Sequence, residues 1–235
     1  METIPILHRA KNREGKKLVQ MILLFCGIFS SLLYVAINIF IPMQYPGYNA
    51  TSQTVSELSA IGTPTRTIWV ILCSFYTLLV VAFGWGVWKS GARKPSLRTT
   101  GALLIIYGTI GLAWPPMHQR AVLAASGGTL TDTMHIVFTF ITVLLMLGAM
   151  GFSTASLGKR FRIYSIATIL VLFVFGALTG MAAPQLEANL PTPWIGVWER
   201  ISIGAYLVWV VVLAITLLRA EKVSGSIKMN TDNLL

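Results

Sequence analysis

Two histidines, three carboxylates, a serine and an arginine punctuate an otherwise apolar chain in a pattern that could do chemistry. They are Ser56, Glu57, His118, Asp132, His135, Glu199 and Arg200. Imidazole and carboxylate are the ligands of a catalytic zinc, which keeps one coordination position open and acidifies its bound water. His118, Asp132, His135 and Glu199 could together hold such a divalent metal and direct water at a lipid ester or amide. Ser56 with His135 as its base is a second covalent option, although no nucleophile-elbow glycines surround Ser56. Without a metal, the same seven residues could fix the headgroup of a lipid or small amphiphile, with Arg200 against an anionic group.

The neighbours of these residues say how they would be held. Thr54-Val55-Ser56-Glu57 fits a capping box, and Gly62 and Pro64 would end the short helix that it starts. Trp114-Pro115-Pro116-Met117-His118 breaks a helix and places His118 at its end. Thr131 is the expected N-cap of the next helix, on which Asp132 and His135 share a face with Thr139 and Thr142. Glu199, Ser202 and Tyr206 share another helical face, while the adjacent Arg200 points elsewhere and would seek Asp132 or Glu57.

The elements that must position them are membrane spans. Six apolar runs, at approximately 18–42, 67–88, 99–118, 133–153, 163–183 and 194–218, each have about the 20 residues that cross a hydrocarbon core. A chain of 235 residues, 55% hydrophobic and 11% charged, has too little polar surface for a soluble globule. Of its 18 Lys and Arg, all but Arg66, Arg120 and Arg200 fall on the N-terminal tail, the second and fourth connections and the C-terminal tail. The positive-inside rule then puts both termini in the cytoplasm. The expected fold is all-α, a bundle of six transmembrane helices with a short interfacial helix in the first outer loop. A basic cytoplasmic tail at 1–17 precedes the transmembrane domain at 18–219, and a polar tail at 220–235 is expected to be disordered. The first apolar run is too long for a signal peptide and is expected to stay in the mature chain.

The net charge of +10 lies beside the spans and not on a soluble module, which points to anionic membrane lipids and away from nucleic acid. Gly84 and Gly86, Gly108 and Gly111, Gly148 and Gly151, and Gly176 and Gly180 read as close-packing positions between helices.

Four segments carry a family resemblance: Ser56-Glu57-Leu58 with Gly62 and Pro64, the stretch ending at His118, Asp132 with His135, and Glu199-Arg200. In this order the chain resembles the multi-pass membrane family catalogued as domain of unknown function 998, over roughly residues 20–218. The resemblance implies six spans and no particular activity. A looser likeness to Frag1 and DRAM-type six-span proteins rests on the first-loop Ser-acid segment.

The leading expectation is an outer polar cavity that binds a lipid or small amphiphile. The alternative is the metal-dependent intramembrane lipid hydrolase. It resembles ceramidase-like hydrolases in chemistry alone, because the chain lacks their third intramembrane histidine. A small-solute transporter ranks third, since no internal repeat or mid-membrane helix break is visible. Short basic connections suit a bacterial plasma membrane.

Overall fold

The computed structural model describes the backbone over residues 3–92 and 94–232, and side chains over 14–92 and 94–222. The N-terminal tail at 1–17 and the C-terminal tail at 220–235, with its expected disorder, lie largely outside the residues whose side chains are described. The helices are α1 (Thr3–Phe40), α2 (Arg66–Ser90), α3 (Pro95–Leu112), α4 (Arg120–Ser126), α5 (Leu130–Thr154), α6 (Gly158–Glu187) and α7 (Ile195–Asp232). Of these, α1, α2, α5, α6 and α7 are long and apolar enough to cross a membrane, so the chain is a multi-pass integral membrane protein. In lipid a helix satisfies its own backbone, which is why long apolar runs take this form.

The third apolar run departs from expectation. It is helical only to Leu112, because Trp114 precedes Pro115 and Pro116, and the residue before a proline is driven out of the α region. With 18 residues, α3 is about 27 Å long at 1.5 Å per residue, slightly short of a roughly 30 Å core.

Packing contacts follow chain order through α1, α2, α3, α5, α6 and α7, then close from α7 back to α1. The closest crossing is between α2 and α3. A Cβ built on Gly84 would lie 2.8 Å from the Ile105 amide nitrogen, one on Gly108 2.8 Å from Val81 Cγ2, and one on Gly101 would strike the Trp88 backbone. Gly86 and Gly111 are equally tight, against Leu23 and Thr77. Gly151, Gly176 and Gly180 meet nothing within 4 Å and are not close-packing positions. The main core runs along α7 through Tyr206, Trp209, Val210, Leu213 and Ala214, joined by Leu24, Phe83, Leu104 and Met150.

The connections divide the molecule into two ends. Tight turns after α2 and α5 form a hairpin end, where Lys94 Nζ donates to the Ser156 carbonyl at 3.0 Å. The opposite, loop end carries residues 41–65, 113–129 and 188–194. The short helix expected in its first loop is a four-residue 3₁₀ turn, Ser56–Ser59. Thr65 Oγ1 donates to the Leu58 carbonyl at 2.7 Å and Thr63 Oγ1 to the Ala60 carbonyl at 2.8 Å. These side chains take acceptors that further helical turns would need, so the turn stops at Ala60.

Candidate functional site

The loop end gathers most of the residues singled out from sequence, in three separate clusters. The first is centred on Glu57, which is 4% exposed. Thr54 donates its backbone N–H and its hydroxyl to Oε2 at 2.6 and 2.9 Å, so the carboxylate half of the expected capping box is present. Arg120 then closes on the same carboxylate, Nε to Oε1 at 2.6 Å and Nη2 to Oε2 at 2.8 Å. Its remaining donors reach Thr192 Oγ1 at 2.6 Å and the Ser52 carbonyl at 2.7 Å. A planar guanidinium with five donors suits this fork, which ties the first loop, the start of α4 and the α6–α7 loop together. Ser56 stands beside the cluster, its Oγ 3.3 Å from Thr54 Oγ1.

The second cluster is built on Asp132. Its Oδ1 accepts the His118 backbone N–H at 2.7 Å. Its Oδ2 lies 2.9 Å from His118 Nδ1 and accepts the Thr129 N–H and hydroxyl at 2.8 and 2.7 Å. Thr129, not Thr131, is therefore the N-cap of α5, with Asp132 closing a complete capping box. His118 is fixed from the other side as well, since Ile61 pairs with it in a short parallel bridge and donates its N–H to the Met117 carbonyl at 2.8 Å.

His135 belongs to neither cluster. It is buried one turn along α5, where Nδ1 lies 2.8 Å from the Pro115 carbonyl and 3.1 Å from Trp114 Nε1. The indole packs edge-on against the imidazole at 5.3 Å. The Pro115-Pro116 break thus presents its freed carbonyl to the histidine.

The third cluster joins α7 to the first loop. Glu199 Oε2 accepts the Val55 N–H at 2.5 Å. Arg200 donates Nη1 to the carbonyls of Ala50 at 2.8 Å and Gln53 at 3.1 Å, and Nη2 to Tyr48 Oη at 2.6 Å. Burial, partly offset by Arg200, pushes the Tyr48 phenol up to about 12, so it remains a donor at neutral pH and gives its proton to the Thr54 carbonyl at 2.7 Å. The expected pairing of Arg200 with Asp132 or Glu57 is replaced by these carbonyls. Gly196 is the reason the loop comes so near, since a Cβ there would fall on the Gln53 and Ala50 carbonyl oxygens.

Of the four metal-ligand candidates, the structure brings only His118 and Asp132 into contact. Among the described residues, no three of His, Cys, Asp and Glu converge on one point. His135 faces Trp114 and Pro115, and Glu199 faces Val55. The oriented His118–Asp132 pair resembles the base half of a catalytic dyad, but Ser56 lies in the Glu57 cluster instead.

Arg120, Tyr48, Thr129 and Thr192 are contributors that the sequence reading did not select. Arg120 did carry a signal, as one of three basic residues on the acid-bearing loops. Two surface depressions accompany these clusters. One, of about 500 Å³, lies at the loop end between Ser52, Gln53, Arg120 and residues 189–193. The other, of about 570 Å³, lies at the hairpin end between the start of α6 and α7, lined by Leu157, Gly158, Lys159, Arg160, Phe161, Tyr164, Val212 and Thr216.

A family model described as Protein of unknown function (DUF998) matches residues 28–216, which includes all three clusters. No curated protein and no solved structure matches the chain.

Proposed function

We infer that this chain, which belongs to the family of proteins of unknown function DUF998, is a six-span membrane protein that binds an anionic lipid. In this reading α3 is the third of six spans, completed by the non-helical residues 113–116, and the loop end faces outward. Its three arginines are all engaged by the protein, Arg66 through the Ser59 carbonyl, Arg120 through Glu57 and Arg200 through loop carbonyls. At the hairpin end Lys159 and Arg160 are exposed, which together with the positive-inside rule supports cytoplasmic termini, and the short basic connections suit a bacterial plasma membrane.

One observation carries the lipid reading. The depression between α6 and α7 is lined by two cations, Lys159 and Arg160, with no acid among its lining residues. Phe161, Tyr164 and Val212 line it beside them, while the exposed Ile163, Ile166, Leu170 and Phe173 lie on the opposite face of α6. A headgroup would sit at the basic rim and its chains against Leu157, Phe161, Tyr164 and Val212. Each such cation near an anionic surface contributes roughly 1 kcal/mol. The loop-end clusters have a different task in this reading, holding the outer connections in place.

The test is mass spectrometry of lipids retained by protein purified in mild detergent. Lys159→Gln with Arg160→Gln should lose retained anionic lipid at least several-fold at unchanged melting temperature, while Lys89→Gln should not. Equal retention in the double variant refutes the site. Stoichiometric zinc by elemental analysis, lost in His118→Ala, would restore the hydrolase.

A further inference from the structure

We propose that a bound water sits in the core below the loop-end clusters, held by Ser202 and Tyr206 of α7 beside a pair of phenols inside the molecule. Tyr206 is 1% exposed. Its hydroxyl and that of Ser202 are buried without a hydrogen-bond partner among the described protein groups. A bare hydroxyl in an apolar interior is strongly unfavourable, and surrounding lipid can supply no partner. Two such groups lie on one helical face, four residues apart, so a single water can serve both.

The surroundings give that partner further contacts. The Tyr206 ring meets the Tyr107 ring edge-on at 5.5 Å. Tyr107 Oη lies 3.0 Å from Tyr76 Oη, and the Tyr76 ring lies 4.7 Å from that of Tyr34. On the loop side, Glu199 stands one turn before Ser202 on the same face. Buried waters typically make two to four hydrogen bonds to otherwise unsatisfied groups. Ser202 Oγ and Tyr206 Oη supply two, and the Tyr107–Tyr76 pair stands next in line. The result is a cluster of hydroxyls around one water in the helix core, contributed by α7, α3 and α2. It involves none of the residues of the α6–α7 depression and stands whether or not lipid binds there.

Ser202→Ala and Tyr206→Phe each delete one hydroxyl and keep the side-chain shape, so both variants of the full chain should fold. If the two hydroxyls share a water, each single variant should melt about 2–6 °C lower. The double variant should fall by less than the sum, because either deletion already releases the water. Additive shifts, or a Tyr206→Phe protein that melts higher than the parent, would overturn the proposal, the latter by showing that the hydroxyl was bare. An experimental map that resolves waters should show density within hydrogen-bond reach of both oxygens, and a clear map without it would overturn the proposal too.

Discussion

Replacing Arg120 by Leu removes the group that joins three separate segments of the loop end. The guanidinium makes four contacts of 2.6 to 2.8 Å, two of them to one carboxylate. The side chains of Arg120 and Glu57 are only 14% and 5% exposed. Without the cation, Glu57 keeps the Thr54 N–H and hydroxyl but carries its charge in a buried site. Breaking one partner of a buried pair in this way costs about 3–5 kcal/mol. For a chain of this size each kcal/mol shifts melting by about 2–4 °C, so Arg120→Leu should melt about 6–20 °C lower. Adding Glu57→Leu removes the stranded charge, and the double variant should recover several degrees of that loss. Tryptophan fluorescence melting in detergent follows all the proteins, since the chain has seven tryptophans. A single variant within about 2 °C of the parent, or a double variant lower by the sum of the two single shifts, would refute the view of this pair as a buried structural clamp.

Asp132→Asn leaves a single acceptor oxygen where the His118 and Thr129 N–H groups, the Thr129 hydroxyl and His118 Nδ1 now share two, and the capping loss should lower stability by about 0.5–2 kcal/mol, read as a lower melting temperature. Gly101→Leu should disrupt the α2–α3 crossing, because even a Cβ meets the Trp88 backbone; a loss of at least about 1–3 kcal/mol, or no folded protein on size exclusion, is expected. Gly180→Ala, in open space on the same criterion, should change stability by less than about 0.5 kcal/mol apart from a small gain in helix propensity.

The spans were legible because their signal is local. A run of about 20 apolar residues identifies itself without knowledge of its neighbours, and α1, α2, α5, α6 and α7 appear where those runs lie. The polar residues at the loop end were legible as a group and illegible as pairs. Arg200 precedes no loop that would bring it to Asp132, and the approach of Gly196 to Ala50 and Gln53 gives its guanidinium nearby carbonyls instead. Arg120 reaches Glu57 only because the segment before it is clamped by Ile61 against Met117 and His118. Both outcomes depend on loop paths, for which sequence spacing holds no measure. The α5 cap is a different kind of miss. Thr129-Leu130-Thr131-Asp132 contains the box with Asp132 at N3 of Thr129, and the nearer Thr131 obscured it.

The way charge is used at the two ends argues for a division of labour along the chain. Each loop-end carboxylate identified from sequence is hydrogen-bonded within the protein, Glu57 to Arg120, Asp132 to His118 and Thr129, and Glu199 to Val55. A catalytic carboxylate or a headgroup ligand must have a lone pair or donor free for its substrate. Glu57 and Asp132 spend most of their capacity on Arg120, Thr54, His118 and Thr129, and Glu199 gives one oxygen to the Val55 N–H, which is what irregular connections at a membrane surface require if their polar groups are to be satisfied. At the hairpin end Lys94 and Arg162 bond to turn carbonyls and Arg98 lies over the Trp88 ring, but not every cation is so engaged. The turns are short enough to satisfy themselves, and Lys159 and Arg160 are exposed beside an apolar cleft. Charge that the fold does not consume is charge available to a partner, and an anionic lipid is the partner proposed for that cleft.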